Sequence, residues 1–326
     1  TQPLWQYRTE PPNFTLATGS CAYINEEIYD RPGKPYGSEY GIFTSIYNKK
    51  PDLMVWLGDN AYLREPDFYT WTGIVHRYTH TRSLPEMQPL LASCPQLAIW
   101  DDHEYGPNDA DRTFIMKDKT RHAFESFWGN PTYGLDGEHG ITSFYEYGDV
   151  DIFLCDDRYW RAPNDCESCE RTILGAEQRQ WLLEALSASH APFKLVAIGG
   201  QFLNPFKKYE TYANIAPTER DTILNFIDHE KIKGVIFLTG DRHFSELAKW
   251  TGPNGTTVFD LTTSSLTAGS SKNPTDVNPL RVEGTMFDSH NFSTLSFSGK
   301  RKARVCTIRL FDTNGKEIWS HDVKPE

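Results

Sequence analysis

Five short apolar segments of the sequence each end in residues that can bind a metal ion or transfer a proton. The segments are FTLATGS, LMVWLG, QLAIW, KLVAIGG and GVIFLTG, and the polar residues that follow them are Cys21, Asp59, Asp101–Glu104, Gln201, Asp241 and His243. Thiolate, imidazole, amide and carboxylate groups are all metal ligands, and imidazole is also a common general acid or base. These endings therefore indicate a metal site with a proton donor beside it.

The apolar segments alternate with amphipathic stretches, which predicts an α/β sheet covered by helices. Helices are predicted over residues 38–49, 70–81, 120–128, 175–189 and 217–229. Residues 290–326 have a β pattern, with STLSFS, ARVCTIRLFD and IWSHDV as strands, the last two joined by the turn DTNGKE. No shift in composition marks a boundary, so the sequence predicts a single domain over 1–326, with its motifs in 14–265.

A sheet of this kind would bring the polar residues at the strand ends close together. Neighbouring strands lie about 4.8 Å apart, and ligands bind outside their C-terminal ends. Carboxylates that converge there repel one another unless a cation or a proton compensates their charge. A single Asp at a strand end is more often a turn former or helix cap, but five such endings favour a shared metal site.

Composition narrows the functional classes. The chain of 326 residues has a formal net charge of -11, which argues against a nucleic-acid-binding surface. No apolar run approaches the roughly 20 residues of a membrane-spanning helix. The opening TQPLWQYRTE lacks Met and an apolar signal segment, which suggests a processed or trimmed chain. Cys166 and Cys169, in NDCESCERT, favour a loop disulfide over a zinc site, because structural zinc normally takes four ligands.

Four motifs together resemble a known family. GSC (19–21), GDNAY (58–62), WDDHE (100–104) and LTGDRHFSE (238–246) are similar to motifs of the PhoD-like alkaline phosphatases. LCDDRYWR and LGAEQRQWLLEALSAS add to the resemblance, which extends from about Phe14 to Ser265. That family belongs to the calcineurin-like metallophosphoesterases and is related to purple acid phosphatases. The resemblance implies a four-layer αββα sandwich with a mixed β-sheet core and antiparallel C-terminal strands.

The resemblance also implies roles for the first two motifs. Asp59 would bridge two metal ions, and Tyr62 would bind Fe(III) as a tyrosinate. Cys21 would be a ligand at the place where most of the superfamily has Asp or His. Two alternatives stay open: Tyr62 as a packing aromatic, and Cys21 as a small buried residue or half of a disulfide.

The other two motifs are assigned in the same way. Asp102 would bind the second metal, and His103 would contact the substrate and protonate the leaving alkoxide. Asp241 and His243 would bind different metals. Because Asp241 replaces a His, the second site would be rich in oxygen ligands, which suits Ca²⁺, Mn²⁺ or Mg²⁺. The cofactors implied by the resemblance are Fe(III) and one or two Ca²⁺ ions.

Four residues outside these motifs complete the candidate site. Gln201 stands where the superfamily has a His ligand, with Asn204 as its rival. Arg158 would hold a phosphate oxygen through its planar guanidinium, or else form an ion pair with Asp156 or Asp157. Arg64 is a second candidate for a phosphate contact.

The expected function is hydrolysis of small phosphate monoesters or diesters by a metal-activated hydroxide, outside the cytoplasm. A phosphonate or phosphotriester substrate is a third alternative, and the oligomeric state is not predicted. The rival class is a non-catalytic secreted module that binds calcium or glycans. His103 discriminates between them, because a structural calcium site has no use for a general acid.

Overall fold

The computed structural model describes residues 10–272 and 277–325. The opening segment, which suggests a processed or trimmed chain, falls largely on residues 1–9, and these lie outside the described residues. In the part of the chain that is described, the strands form two mixed sheets of six strands each. No helix of that part is long and apolar enough to cross a membrane.

The first sheet joins the N-terminal and C-terminal thirds of the chain in the order β12-β11-β10-β1-β2-β3. Its parallel strands are β1 (Phe14–Gly19), β2 (Leu53–Leu57) and β3 (Gln96–Ile99). Its antiparallel strands are β10 (Asn291–Ser298), β11 (Val305–Asp312) and β12 (Glu317–Val323). Because β10 pairs with β1, the predicted C-terminal β region extends this sheet.

The second sheet has the order β4-β5-β6-β7-β9-β8. Its four central strands are parallel: β5 (Val150–Leu154), β6 (Phe193–Ala197), β7 (Val235–Thr239) and β9 (Thr257–Thr262). The edge strands β4 (Ser143–Tyr147) and β8 (Glu246–Thr251) are antiparallel to their neighbours. Strands β5, β6 and β7 are buried at every position, which explains their continuous apolar runs.

The two sheets pack face to face between outer helices. In β6, Leu195 belongs to the hydrophobic cluster shared with the first sheet. The next residue, Val196, packs in a second cluster with α6 (Gly175–Ala188) and α8 (Pro217–His229). On the opposite side, Phe43 of α1 (Gly41–Asn48) contacts Trp56 of β2, with ring centroids 6.2 Å apart. The expected four-layer αββα sandwich is therefore confirmed.

The remaining helices are α2 (Trp71–Arg82), α3 (Gln88–Ser93), α4 (Asp102–Tyr105), α5 (Lys117–Phe127) and α7 (Tyr212–Ile215). The sequence analysis did not predict α3, α4 or α7, because helices of one or two turns show no repeating apolar period. Cys166 and Cys169 form a disulfide, which confirms the favoured interpretation of that loop.

The loops at the C-terminal ends of the parallel strands are tied together across the two sheets. The Leu266 amide, after β9 in the second sheet, donates to the Ser20 carbonyl, after β1 in the first sheet, at 2.8 Å. The Cys21 amide donates to the Gly58 carbonyl at 3.1 Å, which joins the loops after β1 and β2. The fold thus gathers the predicted site residues at one edge of the sandwich.

Candidate metal centre

Four of the predicted ligands lie at backbone positions that are unfavourable for residues other than glycine. Cys21, Asp59, Asp241 and His243 have φ values of 59°, 53°, 64° and 56°. A residue in this left-handed region costs of order 1–3 kcal/mol, and such strain is common at functional sites. The loops therefore hold these side chains in place at the expense of stability.

Three groups of side chains that could hold a metal ion lie at this edge, each with its candidate ligand atoms within 4.8 Å of one another. The groups are Cys21, Asp59 and His243; Asp59, Asp102 and His103; and Asp102, Asp109 and Glu210. Asp59 belongs to the first two groups, and Asp102 belongs to the last two. The groups therefore form one continuous row, here called the ligand row.

Asp59 is built to face two neighbours at once. Its Oδ2 lies 3.7 Å from the Cys21 Sγ and accepts a hydrogen bond from the Tyr62 hydroxyl at 3.1 Å. Its Oδ1 accepts from the His103 amide at 3.3 Å. Because the two oxygens point toward different groups, the geometry suits the predicted bridging role, which stays a prediction. Gly58 precedes it at φ 90°, and a Cβ there would lie 2.6 Å from the Asp101 Cβ.

His243 is oriented by a contact on its far side. The Nδ1 atom is within hydrogen-bond reach of the Gly269 carbonyl oxygen. Since a carbonyl only accepts, Nδ1 carries the proton and Nε2 keeps its lone pair for a metal. A backbone partner of this kind is typical of histidines that bind metal ions.

The short helix α4 sets the positions of Asp102 and His103. Asp101 and Glu104 form a capping box at its start, so both flank the site as helix-end residues. Glu104 also accepts from the Asn60 amide, which ties α4 to the loop after β2. The His103 ring lies 4.3 Å from the Tyr62 ring, measured between centroids. The side chains of the WDDHE and GDNAY motifs thus pack into one unit.

Asp109 and Glu210 were missed by the sequence analysis. Both come from loops rather than from strand endings, so the pattern used to find the other ligands does not reach them. The Asp109 amide donates to Asp102 Oδ2 at 2.7 Å, and Asp109 has a φ of 59°. Asp109 thus shares the left-handed backbone of the strand-end ligands, a property that the sequence does not display.

Arg158 is completely buried between carboxylates. Its Nε donates to Asp101 Oδ1 at 2.7 Å, and its Nη1 donates to Glu210 Oε1 at 3.2 Å. Asp157 Oδ1 is farther away, at 3.8 Å from Nε, and Asp156 accepts from the backbone amide. The ion pair considered from the sequence exists, but its closest partners are Asp101 and Glu210. The phosphate contact stays a prediction.

A pair of buried carboxylates lies behind the row. Asp101 Oδ2 and both side-chain oxygens of Asp157 have no hydrogen-bond partner among the described residues. A Cβ added to Gly199 would lie 2.6 Å from Asp101 Oδ2 and 2.3 Å from Asp157 Oδ2. The two carboxylates therefore leave no room for a side chain at position 199. Burial and the Asp101 charge raise the pKa of Asp157 well above its usual range. This excess of negative charge fits a centre that holds cations.

Burial also raises the pKa values of acidic groups in the ligand row and of Asp241, which lies outside it. Burial, then the charges of Asp102 and Cys21, raise the pKa of Asp59 well above its usual range. Burial is also the main reason why the pKa of the Cys21 thiol is raised to about 12. The pKa of Asp241 is raised to about 7 by burial and by the charges of Asp101 and Glu210. A bound cation reverses these shifts and favours the ionised ligands.

Gln201, Asn204 and Asp241 lie outside the three groups. The Gln201 amide nitrogen donates to Glu246 at 3.0 Å and to Thr262 at 2.9 Å, and its oxygen accepts from Asn204 at 2.8 Å. The proposed metal contact of Gln201, or of its rival Asn204, stays a prediction. Arg64 lines a cavity beside Tyr62 and His103.

The buried acid Glu246 has a structural explanation. It accepts from Gln201 and from Asn278, and it pairs with Arg281. Arg242 donates to the Gln201 oxygen at 3.3 Å and stacks on the ring of Tyr209, at 4.7 Å from its centroid. These two polar residues of the GDRHFSE segment support the loop after β6.

The chemistry of the donors fits metal ions of two kinds. Sulfur, imidazole and phenol oxygen surround one end of the row, and carboxylate oxygens surround the other. A mixed set of sulfur, nitrogen and phenol-oxygen donors suits a transition metal, whereas carboxylate oxygens alone suit Ca²⁺, Mn²⁺ or Mg²⁺. The residues present therefore fit a centre with more than one ion.

The chain is similar to phosphatases by sequence. A family model described as PhoD-like phosphatase matches residues 16–307. Alkaline phosphatase D of Bacillus subtilis (strain 168) is 25% identical over 287 residues, which cover 72% of this chain and 46% of that protein. The chain thus spans about half the length of this curated relative.

Solved structures show the same fold. A structure of PhoD superposes with a TM-score of 0.73 at 19% identity, covering 96% of this chain and 68% of that one. A purple acid phosphatase from yellow lupin (Lupinus luteus) seeds superposes with a TM-score of 0.71 at 11% identity, covering 98% of this chain and 55% of that one. At these identities the two structures support the fold alone.

Proposed function

This chain belongs to the PhoD-like phosphatase family, and from that premise we propose that it hydrolyses phosphate esters in a metal-dependent reaction. The ligand row carries this proposal. It joins the seven residues of the three groups and Tyr62 at the edge where an α/β sheet binds its ligands. A structural calcium site would not need the thiol, the phenol or the second imidazole.

Different residues of the chain would have different roles in the hydrolysis. Bound ions would polarise the phosphoryl oxygens and lower the pKa of a water molecule. His103 would donate a proton to the leaving oxygen. Burial lowers its pKa below the usual value, against the opposing charge of Asp102, which makes the imidazolium a stronger acid. Asp59 and Asp102 would hold the ions on which the phosphate is positioned.

The identity of the ions follows from the two kinds of donor. We infer Fe(III) at the group formed by Cys21, Asp59 and His243, with Tyr62 as a further ligand. Ca²⁺ would occupy the carboxylate groups, with Mn²⁺ or Mg²⁺ as substitutes.

An extracytoplasmic location belongs to the same proposal. The Cys166–Cys169 disulfide supports it, because disulfides persist mainly in oxidising compartments.

The test is hydrolysis of 4-nitrophenyl phosphate and of bis(4-nitrophenyl) phosphate by the metal-loaded protein. We expect release of nitrophenol from at least one ester, loss of the activity on chelation, and its return when iron and calcium are added. His103→Ala should reduce kcat by about 10²–10⁴-fold, the usual contribution of a general acid. It should lower the melting temperature only slightly, because the His103 side chain has no hydrogen bond or ion pair among the described residues and loses only its packing on the Tyr62 ring.

The matched control is His80→Ala. His80 is also partly buried, but it contacts the Asn25 carbonyl oxygen at 3.1 Å and lies outside the ligand row. We expect it to keep the wild-type rate. If neither ester is hydrolysed with any of these ions, the proposed function is wrong and a non-catalytic metal-binding role replaces it.

A further inference from the structure

A cavity of about 310 Å³ opens directly beside the ligand row. Tyr62 and His103 form its inner wall, and both are part of the site described above. The cavity is therefore continuous with the position where a phosphate ester would react. The inference drawn below rests on the proposed function.

His103 fixes which part of the ester would enter the cavity. During hydrolysis the bond from phosphorus to the leaving oxygen breaks, water supplies the new oxygen on phosphorus, and the leaving oxygen takes a proton. A donor must lie within hydrogen-bond reach of the atom that it protonates. Because His103 lines the cavity, the leaving alcohol belongs in the cavity.

The Arg64 side chain lines this cavity and is held in a position where it could bind an anion. Its Nε donates to the Tyr23 hydroxyl at 3.1 Å, and its guanidinium carbon lies 4.6 Å from the centroid of the Tyr23 ring. Among the described residues, neither of its terminal nitrogens has a hydrogen bond and no carboxylate pairs with it. A guanidinium that is already positioned loses little entropy when it binds an anion.

Arg64 makes no direct contact with the ligand row. No hydrogen bond or ion pair in the described chain connects it to any of the three groups. It rests on Tyr23, whose ring packs against Tyr62 with centroids 5.1 Å apart. The Tyr62 hydroxyl in turn contacts Asp59. Arg64 is thus connected to Asp59 only through the side chains of Tyr23 and Tyr62.

The charges around the cavity support the same role. Arg31 and Lys34 line it together with Arg64, although the whole chain has a net charge of -11. Of the two acidic residues there, Glu65 pairs with Arg31 at 3.1 Å. The other, Asp30, accepts from the Tyr23 hydroxyl at 2.5 Å and from the Glu26 amide at 2.9 Å. Of the two arginines that line the cavity, Arg64 is therefore the one without a carboxylate partner among the described residues.

We propose that this cavity binds the leaving alcohol and that Arg64 binds a second phosphate carried by that alcohol. The preferred substrates are then phosphate esters with another phosphate a few bonds from the ester oxygen. This assigns Arg64 to substrate selection rather than to the reacting phosphoryl group.

The test compares two substrates with the same leaving oxygen, propane-1,3-diol monophosphate and propane-1,3-diol bisphosphate. Release of inorganic phosphate by the metal-loaded protein gives kcat/KM for each. A charge-assisted hydrogen bond contributes about 1.5–3 kcal/mol, so we expect the wild type to prefer the bisphosphate by about 10–100-fold. Arg64→Gln should reduce this ratio to about two, the statistical factor for two equivalent ester groups.

The matched control is Arg82→Gln. Arg82 also stacks on an aromatic ring, with its guanidinium carbon 4.1 Å from the centroid of Trp128, but it does not line the cavity. We expect this variant to keep the wild-type ratio. A purely structural role of Arg64 would lower both rates together and leave the ratio unchanged.

The results distinguish a failure of the anion site from a failure of the proposed function. If the monophosphate is hydrolysed without any preference for the bisphosphate, the anion site is wrong and the proposed function stands. The anion site is also wrong if Arg64→Gln keeps the wild-type ratio. If neither compound nor the nitrophenyl esters release product, both proposals are wrong.

Discussion

The two ends of the ligand row differ in chemistry and in how the chain builds them. Cys21, Tyr62 and His243 form the end here called the sulfur end, and Asp102, Asp109 and Glu210 form the carboxylate end. Asp59 lies between them, with one oxygen directed toward the sulfur end and the other toward His103. A single fold edge thus offers two environments that suit different ions.

The sulfur end is largely neutral before a metal binds. Burial raises the pKa of Cys21 to about 12, and burial together with Asp59 raises the pKa of Tyr62 well above its usual range. Both groups therefore keep their protons until a cation displaces them. The Ser264 hydroxyl donates to the Cys21 sulfur at 3.2 Å, so a thiolate formed there would be stabilised at once.

The carboxylate end is ionised, and the positive charge of the Arg158 guanidinium already lies beside it. Although burial opposes ionisation, the charges of His103 and Arg158 lower the pKa of Asp102 below its usual range. Arg158 compensates Asp101 and Glu210 directly. The difference suggests that the carboxylate end depends on positive charge for stability, whereas the sulfur end depends on it only for metal binding.

The largest effect is expected from removing the positive charge of Arg158. Arg158→Met leaves Asp101 buried without its ion-pair partner and leaves Glu210 paired with Arg161 alone, which should lower the free energy of unfolding by about 3–5 kcal/mol. Arg64→Met, beside the sulfur end, removes a hydrogen bond to the Tyr23 hydroxyl and a contact with the Tyr23 ring, and should cost about 1–2 kcal/mol. Urea unfolding of both variants in the presence of a chelator measures the two losses.

Calcium sharpens this comparison. An ion at the carboxylate end would compensate part of the charge that Arg158→Met exposes, so the loss should shrink when Ca²⁺ replaces the chelator. Equal losses for the two arginine variants, or a loss for Arg158→Met that calcium does not change, would show that the two ends do not differ in this way.

The next effect tests the residue that the two ends share. Asp59→Asn keeps the shape of the side chain but removes its charge, so both neighbouring metals should bind more weakly. We expect activity on the preferred nitrophenyl ester to fall on the order of 10²–10³-fold, the scale of losing one prepared electrostatic contact. Metal analysis should show less iron and less calcium in the same sample.

The control lies at the other end of the same strand. Asp52 precedes β2 and accepts from the Thr15 amide at 2.8 Å, on the exposed side of the sheet. Asp52→Asn should keep the wild-type rate and metal content. If Asp59→Asn loses only one of the two metals, Asp59 is a ligand of that metal alone and not a bridge.

The two ends also differ in how far the sequence predicts them. The sulfur end follows β1, β2 and β7, where continuous apolar runs mark the strands and the next polar residue marks the site. Cys21, Asp59, Tyr62 and His243 could therefore be placed together before the structure was known. The layers of the fold could be predicted for the same reason, because long apolar strands alternate with helices.

Of the three residues at the carboxylate end, the sequence predicts only one. Asp102 follows β3 and was found, but Asp109 and Glu210 come from loops that only the folded chain brings to it. Arg158 was identified, yet its partners Asp101 and Glu210 are distant in sequence, so local patterns favoured its neighbours Asp156 and Asp157. Contacts between loops depend on tertiary packing, which a local sequence pattern does not encode.

The smallest effect separates the two ends by the metal that each one loses. Cys21→Ser replaces a sulfur donor and should weaken iron binding by at least the roughly 10–100-fold that loss of a residue supporting a ligand costs, while calcium is retained. Asp109→Asn removes a carboxylate from the other end and should weaken calcium binding by a similar factor while iron is retained. Iron bound to Tyr62 also predicts a visible tyrosinate-to-Fe(III) absorption band, which Asp109→Asn should preserve.

Cys155→Ala is the matched control for the sulfur end. Cys155 is likewise buried and follows a parallel strand, β5, but it belongs to none of the three groups. Its substitution should change neither metal nor the absorption band. If Cys21→Ser and Asp109→Asn each release both metals to the same extent, the ligand row acts as one cooperative centre. The division into two chemically distinct ends would then be wrong, because a ligand lost from either end would have to weaken the whole row through Asp59 and Asp102.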